Sequence, residues 1–111
     1  MEAVYTAHLR AIYARQELLG APDPFLTEAI ADYTDEAAEA VRLYRLALAQ
    51  SSKHPDEPTY TKRIDMASRL MEVGDLKTAR TELIQGRAEA ERLKDNLYVE
   101  FADGLLAKLA V

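Results

Sequence analysis

From Leu26 onward, apolar residues recur at steps of three and four, through Ile30, Tyr33, Ala37, Val41, Tyr44 and Leu48. That is the spacing of one face of a helix. The same rhythm runs through Tyr5, Leu9, Ile12 and Leu19 before Gly20-Ala-Pro22 interrupts it, which predicts a first helix over roughly Glu2 to Leu19. Asp23 is placed to cap a second helix, with Pro24 at the favoured first position. The pattern then reads as one long helix to about Gln50. A rival reading breaks it at Tyr33-Thr34, with Thr34 capping a helix that opens on Asp35 and Glu36. The unbroken helix is the preferred expectation. SSKHPDEP, residues 51–58, is a loop, after which Asp56 or Glu57 caps a third helix to Val73 with Pro58 in its first turn. Gly74 can take the left-handed conformation that closes a helix, and Asp75 caps a fourth running to about Leu93. Asp95 caps a fifth. The pattern predicts an all-α fold of about five antiparallel helices, with no strand-like alternation.

The two arms on either side of Gly74-Asp75 differ in how much of their circumference is apolar. At ~100° per residue, Leu76, Ala79, Leu83, Gly86, Ala90 and Leu93 fall within a single narrow arc. Tyr60, Ile64, Met66, Ala67, Leu70, Met71 and Val73 spread over about half the circle. One arm is expected to pack on one side, its partner on two. Ala67 and Ala79 leave room for the backbones to approach, so the segment reads as a tight αα-hairpin.

This hairpin resembles a tetratricopeptide repeat. Starting the repeat at Tyr60, Ala67 takes the small position and Leu70 the large apolar one on the inner helix. Gly74 falls at the turn, Ala79 at the small outer-helix position and Leu83 at the large one. A second unit opens near Asp95, with Tyr98, Phe101, Ala102 and Leu105 in inner-helix core positions. The resemblance covers Tyr60–Val111, one repeat and a half attached to N-terminal helices over residues 1–50, the whole read as a single domain. Arg63 and Gly86 depart from the pattern, which prefers a large apolar residue and Ala at those places. Ala40, Tyr44 and Ala47 fit an outer helix, whereas Pro24 and Glu28 fit an inner one badly. The chain also stops after an inner helix, where stacked repeats usually end in a polar cap.

Composition narrows the function classes. At 111 residues and 49% apolar content the chain can bury a core, and it contains no cysteine for a disulfide or thiolate metal site. MEAVYTAHLR lacks an uninterrupted apolar run, so neither a signal peptide nor a membrane span is expected, and the cytoplasm is the expected compartment. The net charge of −5 is uneven: residues 1–39 carry eight acids against two bases, giving −6, while the rest sums to +1. The bases Arg42, Arg45, Lys62, Arg63, Arg69, Lys77, Arg80 and Arg87 alternate with acids and read as surface. No stripe suited to nucleic acid emerges. His8 and His54 belong to no metal-ligand pattern; His8 reads as the edge of a core and His54 as a solvated loop residue. No phosphate loop or nucleophile motif is present, and no catalytic residue, metal site or cofactor is expected. The acids Glu28, Asp32, Asp35, Glu36 and Glu39 read as a solvated face, with Glu39 and Arg42 paired.

Taken together, these features predict a non-catalytic protein–protein interaction module, a scaffold domain rather than an enzyme. The lysine–asparagine clamp with which the resembled family holds a peptide's terminal carboxylate is absent, because Ile64, Asp65 and Ser68 stand at its positions. In the family's register the groove-facing, partner-binding residues are Ile64, Ser68, Met71, Val99, Asp103 and Leu106. The resemblance thus implies a largely apolar groove with one acid, suited to a helix or extended peptide with apolar anchors and one basic residue. The alternative is a helical self-association domain forming a homodimer. Leu97, Phe101, Leu105, Tyr98, Leu109, Ala102, Leu106, Val99 and Ala110 cover more of the fifth helix than one neighbour can bury, and contact through Val99, Leu106 and Val111 would serve either reading.

Overall fold

The computed structural model describes the backbone of residues 2–18 and 23–110, and side chains over residues 7–15 and 23–110. The chain is all-α, with six helices over those residues: α1 Glu2–Leu18, α2 Pro24–Asp32, α3 Ala37–Ser51, α4 Tyr60–Glu72, α5 Leu76–Arg92 and α6 Asn96–Leu109. It forms two compact units, Met1–Glu57 and Pro58–Val111, divided within the loop between α3 and α4, which begins after Ser51 and not at it as expected. Sequence-adjacent helices pack on each other within each unit, and α6 also reaches α4. Tyr5, Leu19, Gly20 and Val111 lie outside the residues whose side chains are described.

The expected long helix from Leu26 to Gln50 is two helices, which corrects the count from five to six. Helix α2 starts as its sequence requires, Asp23 Oδ1 accepting from Phe25 N at 2.9 Å with Pro24 following. It ends because Tyr33 N is shared between the carbonyls of Ala29 and Ile30, tightening the last turn. Thr34 then turns its hydroxyl back to Ile30 O at 2.7 Å. Thr34 therefore closes α2 instead of opening α3, whose cap is Glu36 without a side-chain bond. The core of this unit is Ile30 and Ala31 of α2 with Ala40, Val41, Leu43, Tyr44 and Ala47 of α3, and Leu9 of α1 is buried too. One polar thread crosses all three helices: Thr27 Oγ1 donates to Gln50 Oε1 at 2.6 Å, and Gln50 Nε2 donates to Tyr13 OH at 2.8 Å. The acids expected to share a solvated face are divided by the break. Glu28 is buried, Asp32 accepts from the Tyr44 hydroxyl, and Glu39 pairs with Arg42 at 2.6 Å. That last hydrogen bond holds the Glu39 carboxyl below its ordinary range.

In the second unit the α4–α5 turn is built as expected. Gly74 has φ +89°, its N–H bonds Met71 O at 3.2 Å, and Asp75 N bonds Leu70 O at 2.9 Å. These are the two bonds of a Schellman closure, and Asp75 then caps α5 by accepting from Thr78 N. The α5–α6 turn repeats the device: Lys94 N bonds Glu91 O, Asp95 N bonds Ala90 O, and Asp95 accepts from Tyr98 N. Here the left-handed position is held by Lys94 at φ 62°, a strained choice for a residue with a Cβ.

The start of α4 differs from expectation. Neither Asp56 nor Glu57 caps it; Thr59 is the N-cap, but its hydroxyl donates to Glu89 Oε2 at 3.1 Å and caps no amide of α4, and Pro58 lies outside the helix. The cap comes from α5, where Glu89 Oε1 accepts from Thr59 N at 2.7 Å and Tyr60 N at 2.8 Å. Lys62, expected on the surface, is 1% exposed, its Nζ turned back to Pro58 O at 3.2 Å. Three turns of α5 lie against α4 through Ala79, Leu83, Gly86 and Ala90, all buried. At Gly86 a Cβ would come 2.7 Å from Ile64 Cγ1 and 3.3 Å from Arg63 Cβ. The departure from Ala at this place thus has a steric reason, and Arg63, the other departure, is engaged with Glu82 at 2.8 Å.

Three stability outcomes follow. Alanine at Gly86 would gain ~1 kcal/mol of helix propensity, but Ile64 is fully buried and cannot yield cheaply. Gly86→Ala should therefore be net destabilising by about 1–2 kcal/mol in urea denaturation. The same change made in an Ile64→Ala background should cost nearly nothing; equal costs in both backgrounds would remove the steric account. Lys94→Gly should raise stability by about 1 kcal/mol by relieving the left-handed strain, whereas Gly74→Val should lower it by more than ~1 kcal/mol. An unchanged midpoint for either variant contradicts the turn geometry.

Candidate functional site

The residues placed in one groove by the repeat register are divided among three surroundings. Ile64 is fully buried against Gly86 and belongs to the hairpin core. Ser68 and Met71 line a hollow of about 420 Å³ between α4 and α6, together with Arg69, Glu72, Leu105 and Lys108. Leu106 lies on the other side of α6, in a channel against α5 lined by Ile84, Arg87, Ala88, Glu91 and Arg92. Asp103 is on that side too, its carboxylate 2.5 Å from Arg87 Nε, and Val99 shares its face by helical spacing. Hydrogen bonding to Arg87 holds the Asp103 carboxyl below its ordinary range, and Asp103 with Glu91 holds the guanidinium above its own. On this side α6 packs on α5, where the Arg87 fork holds Asp103.

What α4 and α6 do share is a set of aromatic and carboxylate contacts. Tyr60 OH donates to Asp95 Oδ2 at 2.6 Å, and Tyr98 OH donates to Asp65 Oδ2 at 3.1 Å, so each helix supplies one tyrosine and receives one. The rings of Tyr60 and Tyr98 meet edge to face with centroids 5.5 Å apart, and Tyr98 meets Phe101 likewise at 6.2 Å. Along α6, Leu97, Phe101 and Leu105 follow at four-residue intervals, a stripe leading into the hollow. Leu97 is 79% and Phe101 42% exposed, while Leu105 is buried. Lys108 stands at the rim with Glu72, and Glu72 is taken up by Arg69 at 3.1 Å. Sequence reading missed Leu105 and Lys108 as lining residues, although the Leu97–Phe101–Leu105 spacing was a usable signal.

Among the described residues no three His, Asp or Glu side chains converge as metal ligands, and no helix is long and apolar enough to cross a membrane. His8 and His54 are exposed, so His8 is not the core-edge residue expected of it. Comparison with known proteins finds no matching family model, no matching curated protein and no matching solved structure.

The Glu89 cap can be tested directly, since it closes the N-terminal end of the helix that forms one wall of the hollow. Glu89→Ala leaves the Thr59 and Tyr60 amides without their acceptor and should cost about 1–3 kcal/mol. Glu89→Gln keeps an acceptor oxygen and should recover most of that loss. If thermal melts of the two variants coincide, the carboxylate is not acting as a cap.

Proposed function

We propose that this chain is a non-catalytic protein-interaction module that receives a helix or extended peptide of a partner protein along the α4–α6 face. The observation that carries the reading is the exposed stripe Leu97–Phe101 running into the hollow of Ser68, Met71 and Leu105. Large apolar side chains left in water forfeit about 1.5–3 kcal/mol each relative to full burial. A ligand that covers them is favoured for that reason, and Met71 can adapt to its shape. The reading of α4, α5 and α6 as a tetratricopeptide-like hairpin followed by a further inner helix is supported by buried Ala67, Leu70, Ala79 and Leu83 and by the Gly74 turn. The partner's charge differs from the sequence expectation. Asp103 is neutralised on the other side of α6, and the hollow is lined by Arg69 and Lys108 against Glu72 alone, which pairs with Arg69, so an acidic residue beside the apolar anchors suits the site better than a basic one.

Selection of a displayed peptide library against the intact chain provides the test. Enriched peptides should carry paired apolar anchors with a nearby acid, and should lose about tenfold or more in affinity on Phe101→Ala or Met71→Asp. Helical content should stay unchanged in both variants. Failure to enrich any peptide, or binding indifferent to both substitutions, would overturn the assignment.

A further inference from the structure

We draw no further inference here: the strongest candidate, the channel between α5 and α6 walled by Ile84, Ala88 and Leu106, carries nothing because nothing in the structure shows what covers it.

Discussion

The second unit depends on how closely α5 approaches α4 at Gly86. Where a Cβ would stand, Ile64 Cγ1 fills the space, so the helix separation at this point is set by one absent methyl group. Glu89 lies one turn further along α5 and accepts both amides at the start of α4. Steric fit and cap act within four residues of each other and enforce the same register. A slip of one turn would strand the two amides and drive Ile64 into a residue with a side chain. The exposed face of α6 is positioned by that register, because α6 packs on both members of the pair.

A second constraint is the use of aspartate at each turn of this unit. Asp75 and Asp95 each close the preceding helix with their own amide and open the next with their carboxylate. Asp95 has a third duty, accepting from Tyr60 of α4, so the cap of α6 is tied directly to the first residue of the hairpin. The aromatic contacts from Tyr60 through Tyr98 to Phe101 are thus anchored at a helix terminus instead of floating on a surface. Phe101 is presented from a rigid base, which would lower the ordering cost of the peptide proposed for that face.

Features that act over three or four residues were legible in the sequence. The caps at Asp23, Asp75 and Asp95 and the glycine turn could be read because each carboxylate or backbone bond finds its partner in the next turn of chain. Glu89 could not be paired with Thr59 by any local rule, since thirty residues separate them. Lys94 disguises a left-handed turn that Gly74 advertises. The break after Asp32 was hidden by an apolar rhythm that continues across it, and the Thr34 hydroxyl, readable as a cap in either direction, in fact points backward.

The candidate surface shows a different limit. Periodicity assigns a residue to a face of its own helix, and for Ser68 and Met71 that placed them beside the same hollow. It does not say which neighbour that face meets. Asp103 lies on the face of α6 that meets α5 and is held there by Arg87, an ion pair between separate helices whose geometry no spacing rule contains. With that acid on the opposite side of α6, the charged groups lining the hollow are Arg69, Lys108 and Glu72, and the sign of the ligand proposed for it reverses from the sequence expectation. Spacing along one helix therefore fixes which residues share a face, while the contacts between helices decide which of those faces share a surface.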